Sequence, residues 1–332
     1  MKKILTYLFE HKKLSRAEAR EILVNISRNV YNEAQVAAFI TVYLMRAISE
    51  EELQGFVDAL LEMAVPADFE GQETIDLCGT GGDGKNTFNI STLAAFVVAG
   101  AGYKVTKHGN SGVSSKCGSS DVLETLGYRF TNDPDTLKRQ LDKSNICFLH
   151  APLFHPAMKT VAPIRKQLGV KTFFNMLGPL VNPAKPKYQM TGVFNLELAR
   201  LYAYLFQKQA GKRFAVLHAL DGYDEISLTG NFKVKTHSSD RILAPADLGM
   251  KTVRQEDIHG GDTREDAAAI FLHVLKGAGS PAQQAVVAAN AAIAIQTFSP
   301  ALSLRDAVAA AEESVKSGRA FQSFKNLIEA VA

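Results

Sequence analysis

The sequence predicts an α/β fold preceded by a small all-helical region. Three observations lead there. Up to Pro66 the chain carries only helix signals. From Thr74 onward, short apolar strands alternate with helical stretches. Two polar, glycine-containing loops each follow a strand and precede a helix.

In the helical region, Ser15-Arg-Ala-Glu18, Asn32-Glu-Ala-Gln35 and Ser49-Glu-Glu-Glu52 each read as a capping box that opens a helix. Leu53, Phe56, Val57, Leu60, Leu61 and Ala64 form one apolar stripe, and Val36, Ile40 and Leu44 form another. Both stripes fit burial in a small bundle or contact with a second copy, and spacing alone does not separate the two. Beyond Pro66 the candidate strands are 74–77, 103–107, 145–150, 188–194 and 213–219. Intervening helices imply parallel pairing with right-handed crossovers. Residues 156–186 break the rhythm with Pro156, Pro163, Pro179, Pro183 and Pro186, and read as an irregular helical insertion. An extended segment over 226–236 precedes the last helices, where Ala285 to Ala294 is alanine-rich.

The first loop, Gly79-Thr-Gly-Gly-Asp-Gly-Lys-Asn-Thr-Phe-Asn-Ile-Ser-Thr92, is the richest signal. Glycine lets the backbone take positive φ and approach a ligand closely. A strand, glycine loop and helix N-terminus direct free N–H groups at one spot, which suits phosphate or pyrophosphate. Ser91 and Thr92 add hydroxyls at the helix start. An ordinary glycine turn with a cap is the plainer alternative. Gly79, Gly81 and Gly84 match the letters of a dinucleotide fingerprint, but the next strand ends in Thr106-Lys107 rather than in an acid. The Walker spacing is not met, because Asn86 follows Lys85.

A second loop strengthens the phosphate reading. Lys107-His-Gly-Asn-Ser-Gly-Val-Ser-Ser-Lys-Cys-Gly-Ser-Ser-Asp121 carries lysines, a histidine, an asparagine and serines. Both loops belong at the carboxyl edge of a parallel sheet, where α/β proteins bind ligands. Asp224 and Glu225 follow the candidate strand 213–219 and read either as a solvated acidic turn or as oxygen ligands for Mg²⁺. Arg165 reads as a surface arginine or as a two-pronged carboxylate grip. His108 and His155 are candidate bases or structural histidines. Lys107 is a candidate phosphate partner.

Composition bounds the remaining classes. A net charge of +3 makes no case for broad nucleic-acid binding. Three cysteines, Cys78, Cys117 and Cys147, fit free thiols in a reducing compartment, without a zinc pattern. The basic start followed by Glu10 does not read as a signal peptide, and Leu93 to Gly102 is too short to span a bilayer. The expected location is cytoplasmic.

The combination GTGGDG…NIST, KHGN…VSS…GSSD, NMLGPLVNP and the Asp-Glu turn closely resembles anthranilate phosphoribosyltransferases, over nearly the whole chain. KHGN after GTGGDG separates these from pyrimidine nucleoside phosphorylases of similar fold. The resemblance implies a nucleoside phosphorylase/phosphoribosyltransferase class of fold with a hinge. Residues 1–70, joined by part of about 156–186, would form the helical domain, and 71–332 the α/β domain with a mostly parallel central sheet.

It also implies site residues. Gly79, Gly82, Asp83, Thr87, Asn89, Ile90, Ser91 and Thr92 would cradle 5-phosphoribosyl pyrophosphate (PRPP). Lys107, His108, Gly109, Asn110, Ser111, Gly112, Val113, Ser114, Ser115 and Ser119 would form the second phosphate-contacting loop. Ser91, Asp224 and Glu225 would ligate Mg²⁺, two ions per subunit by the family pattern. Gly79, Asn110 and Arg165 would contact anthranilate. Many members have Arg-Ser after KHGN where this chain has Ser111-Gly112, which leaves the loop's phosphate contacts to backbone and serines. Cys117, at a position expected to be serine, reads as a possible oxidation site.

The reaction so implied gives N-(5-phosphoribosyl)anthranilate and pyrophosphate, the second step of tryptophan synthesis from chorismate. It would run in a homodimer joined through the N-terminal helices, with substrates bound at the hinge. No acid or base is assigned. A nucleoside phosphorylase is disfavoured by KHGN and the Asp-Glu turn. A non-catalytic nucleic-acid-binding paralogue is disfavoured by the small net charge and the intact candidate Mg²⁺ ligands.

Overall fold

The computed structural model describes residues 1–112 and 117–330. The chain divides into two compact units, Met1–Pro66 with Ala151–Pro183, and Ala67–His150 with Ala184–Ala332.

The first unit is helical. Its helices are Lys2–Phe9, Arg16–Ser27, Glu33–Met45, Glu50–Glu62, Ala151–Phe154 and Met158–Leu168, followed by 3-10 turns at Phe173–Met176 and Gly178–Leu180. Ser15, Asn32 and Ser49 each accept from the backbone N–H three residues on, and Glu18, Gln35 and Glu52 reach back to close each box. Leu53, Phe56, Val57 and Leu60 are buried, as is Val36 with Ile40. Leu44 departs from its expected stripe and is 45% exposed. Two i+4 steps from Val36 rotate a side chain by roughly 80°, enough to carry it off the buried face.

Glu52 is the polar centre of this unit. Its side chain is fully buried against Arg46, whose guanidinium lies 2.5 Å and 2.9 Å from the two carboxylate oxygens. It also accepts from Leu14 N at 3.0 Å, Ser49 N at 2.9 Å and the Tyr43 hydroxyl at 3.3 Å. Burial alone would raise its pKa, but Arg46 and the backbone N–H groups outweigh burial and hold it below the usual carboxylate range.

The second unit is built on one sheet of strands β1 (Ile75–Gly79), β2 (Val105–Gly109), β3 (Ile146–His150), β4 (Tyr188–Gly192), β5 (Arg213–Ala219), β6 (Phe232–Lys235) and β7 (Asp240–Leu243). Their order is β3-β2-β1-β4-β5-β6-β7. The first five strands in that order pair in parallel, and β6 and β7 are antiparallel. The helix Ile90–Gly100 is buried along nearly its whole length, and the alanine-rich helix Pro281–Phe298 buries Val286 to Ile295. Among the described residues, no helix is long and apolar enough to cross a membrane.

The expected extended segment 226–236 shrinks to β6. Leu228 takes φ 58° and the Ser227 hydroxyl bonds that of Thr229, so a turn replaces the ladder while Ile226 and Leu228 stay buried. β7 lacked a sequence signal, because three of its four residues are exposed at the sheet edge and show no alternation.

Replacing Glu52 by Ala leaves Arg46 without its buried partner. The expected loss is about 3–5 kcal/mol of stability for the helical unit, read as a lowered urea midpoint. Because its folded pKa is depressed, the Glu52 contribution is present above the ordinary carboxylate range. It disappears as pH falls through the folded value, so the wild type and Glu52→Gln should converge in stability only in strong acid.

Candidate active site

The order in which successive strands are added reverses at β1. β2 and β3 extend to one side of it, β4 and β5 to the other, so the topological switch point lies between the carboxyl ends of β1 and β4. The last pair across that boundary is Gly79 with Gly192. Asp224, in the turn after β5, packs against both. A Cβ on Gly79 would lie 2.5 Å from Asp224 Oδ2, and one on Gly192 would overlap the Asp224 carbonyl oxygen. Gly192 had no role in the sequence reading. The sequence reading runs β4 on to 194, whereas it ends at Gly192.

The Asp224 carboxylate accepts from Gly81 N at 2.6 Å. Gly81 and Gly82 take φ of 63° and 82°, which a side chain would strain. Glu225 reaches the other end of the same loop. It accepts from Ser91 N at 2.9 Å and from the Thr87 hydroxyl at 3.3 Å, and so caps the helix Ile90–Gly100 with a carboxylate. The residue that follows is pinned by Asn290, which is buried and exchanges hydrogen bonds with Ile226 N at 3.1 Å and Ile226 O at 2.9 Å. A buried asparagine in an alanine-rich helix was the available, unused sequence signal.

Segment 258–261 braces the middle of the first loop. Gly260 N donates to Asn86 O at 2.8 Å, Phe88 N to Ile258 O at 3.3 Å, and Thr87 bridges His259. Asn89 occupies the helix N-cap but spends its amide on Cys117 O at 3.2 Å, which links the first loop to the second.

The structure therefore brings Gly79, Asp83, Thr87, Asn89, Ser91, Asp224 and Glu225 into one locality. Ile90 and Thr92 turn their side chains into the core and leave only backbone for a ligand. Lys107 and His108 are 2% exposed; the Lys107 ammonium donates to Leu77 O, and His108 N donates to the Asp76 carboxylate at 3.2 Å. Asn110 is exposed, its side-chain oxygen accepting from Ser111 N at 2.8 Å. Ser119 donates to Asn110 O at 3.2 Å, and a Cβ on Gly109 would meet its hydroxyl at 2.6 Å. Val113, Ser114 and Ser115 lie outside the described residues.

Arg165 belongs to the helical unit, on the helix Met158–Leu168. It donates to Asn175 Oδ1 at 3.3 Å and lies over the Phe174 ring at 5.4 Å from its centre. Burial lowers its pKa, but a guanidinium remains charged. Asn175 opens the NMLGP motif, whose letters alone did not disclose this contact.

Burial pushes the carboxyls of Asp224 and Glu225 up; Asp83 adds to the shift at Asp224, and the Asp224 charge to that at Glu225. A divalent cation would reverse that repulsion. Among the described residues, no three His, Cys, Asp or Glu side chains group as a metal cage. Two carboxylates shared with substrate phosphates is the pattern Mg²⁺ favours, so the donors fit this ion. Cys117 does not fit the expectation of a reactive thiol: burial and the Asp121 charge push it up to about 11, leaving it protonated at neutral pH.

Comparison with known proteins gives the family. Residues 2–64 match the glycosyl transferase family, helical bundle domain, and residues 71–321 its a/b domain. The anthranilate phosphoribosyltransferase of Cytophaga hutchinsonii is 56% identical over 99% of this chain and 100% of its own length. The chain belongs to the anthranilate phosphoribosyltransferase family. It is accordingly an enzyme of phosphoribosyl transfer. The Bacteroides fragilis relative of the same name is also 56% identical, with 99% of each chain covered. The Thermus thermophilus family structure superposes with a TM-score of 0.89 at 33% identity, covering 98% of each chain. The Saccharomyces cerevisiae enzyme in complex with PRPP and Mg superposes at 0.91 and 27% identity, covering 98% of this chain and 96% of that one.

Gly192→Ala drives a methyl group into the Asp224 carbonyl, a backbone atom that cannot step aside. We expect a loss of at least about 3 kcal/mol, the upper end of overpacking costs, with a lower thermal midpoint and no turnover. Gly230→Ala meets only ordinary contacts at 3.6 Å and should match the wild type in the same melts.

Proposed function

We propose that this enzyme transfers the 5-phosphoribosyl group from PRPP to the amine of anthranilate, releasing pyrophosphate, in tryptophan synthesis. The observation that carries this reading is the meeting of the GTGGDG loop with Asp224 and Glu225 at the sheet's switch point. It is supported by the relatives' shared name and by the yeast structures, one with PRPP and Mg and another with 4-fluoroanthranilate.

The ribose–pyrophosphate bond breaks as the aromatic amine bonds to the anomeric carbon, and the amine proton leaves to solvent. Charge grows on both sides of the breaking bond, with oxocarbenium character on the sugar. N–H groups of the first loop other than Gly81 N and Ser91 N, which Asp224 and Glu225 hold, stabilise the leaving oxyanions as charge develops. Ser91, Asp224 and Glu225 are the proposed holders of Mg²⁺, which when bound neutralises pyrophosphate charge. Asn110 and backbone near Gly79 contact anthranilate, and Arg165, steadied by Asn175, holds its carboxylate. The acceptor amine is unprotonated at neutral pH, so the chain's task is positioning rather than proton abstraction.

The helical unit exposes Tyr7, Phe9, Leu44 and Met45, at 39%, 62%, 45% and 79%. Exposed apolar side chains of this kind support a homodimer through the N-terminal helices. A cytoplasmic location follows from the biosynthetic role.

Loss of anthranilate fluorescence on mixing with PRPP tests the reaction. Turnover should require Mg²⁺ and fall by about 100-fold or more in Asp224→Asn/Glu225→Gln, as for lost electrostatic stabilisation. No turnover by the folded wild type would refute the assignment. Arg165→Ala should raise KM for anthranilate by about 10–100-fold, the worth of a charged hydrogen-bonded contact, with KM for PRPP little changed. Phe9→Lys/Met45→Glu should sediment as a monomer where the wild type sediments as a dimer.

A further inference from the structure

We infer that Asp121 is a positioning residue for phosphoribosyl transfer: its carboxylate joins Gly112 to Gly118 and so sets the contacts of Gly109 to Gly112 and Ser119 to PRPP. The inference rests on the proposed function, which makes this loop part of the PRPP site.

The loop leaves β2 through Gly109 to Gly112 and returns through Cys117 and Gly118 to the helix Ser119–Thr125. Asp121 Oδ2 accepts from Gly112 N on the outgoing limb and from Gly118 N on the returning limb, both at 2.8 Å. One oxygen thus holds Gly112 and Gly118 together. The limbs are so close that a Cβ on Gly118 would overlap Gly112 N and sit 2.6 Å from the Ser111 carbonyl carbon.

Further contacts surround that join. Asn110 O accepts from Ser120 N and the Ser119 hydroxyl, each at 3.2 Å. Asn89 Nδ2 reaches Cys117 O, so the returning limb is also tied to the first loop. Asp121 Oδ1 lies 2.8 Å from the Arg264 guanidinium, an ion pair without good hydrogen-bond alignment. The Asp121 side chain is only 3% exposed, and Arg264 opens the helix Arg264–Leu275, outside both loops. A short acid that bonds two backbone amides six positions apart is more than a cap for its own helix, whose N-cap Gly118 has no side chain to complete a box.

Steady-state kinetics and thermal melts of Asp121→Ala, Asp121→Asn and Gly118→Ala test this. Asp121→Ala should raise KM for PRPP about tenfold or more, while KM for anthranilate and kcat change less than about threefold. Asp121→Asn keeps an acceptor oxygen for the two amides and should recover most of the loss. Gly118→Ala pries the same limbs apart with Asp121 intact and should show the same selective rise. A KM for PRPP within about twofold of wild type in a folded Asp121→Ala or Gly118→Ala protein overturns the role. So does an equal loss in all three constants that Asn does not relieve, which marks general destabilisation. Wild-type turnover is the control: its absence overturns the functional reading, whereas turnover with an unaffected Asp121→Ala overturns only the positioning role.

Discussion

Two glycines at the ends of β1 and β4 make room for one aspartate, and the rest of the site is arranged around that contact. Gly79 and Gly192 face each other in the last register pair of the strands that flank the switch point. With no Cβ on either, the turn after β5 can lay Asp224 directly on the strand ends. From there its carboxylate captures Gly81 N, and the neighbouring Glu225 captures Ser91 N. Two adjacent residues thereby hold both ends of a glycine-rich loop. Asn290 fixes the backbone just beyond them, so the geometry is anchored in the alanine-rich core helix.

Electrostatically, that arrangement is incomplete without a cation. Burial and mutual repulsion disfavour charge on Asp224 and Glu225, with Asp83 close by. The same residues are both the loop's fasteners and the proposed metal ligands, so loop order and Mg²⁺ binding are linked. The helical unit solves the opposite problem. Glu52 is as deeply buried, yet Arg46 and backbone amides compensate its charge fully, which suits a structural role. A buried carboxylate with its ion partner in place suits architecture, and a buried pair raised by desolvation and mutual repulsion is the pattern of a candidate site.

Much was legible from residue order. Capping boxes located three helices because a Ser or Asn and a Glu or Gln three positions later satisfy each other locally. The five parallel strands appeared because buried strands read as short apolar runs. The edge strand Asp240–Leu243 did not, since an exposed edge needs no alternation. Leu44 was misplaced because i+4 spacing drifts around a helix over two turns. Gly192, Asn290 and Asp121 were missed as site-shaping residues, because each acts on a partner distant in sequence or on both limbs of a loop.

The amino-acid sequence by itself determined the fold class, the two glycine-containing loops, the acidic turn and the family to which they belong. All of these are encoded in local patterns of residue type and spacing. Tertiary structure alone decided which of those residues meet. It set Asp224 against Gly79, turned Ile90 and Thr92 into the core, buried Lys107 on a strand carbonyl and raised the pKa of the Cys117 thiol. These outcomes depend on strand order and burial, which arise only when segments far apart in the chain pack together.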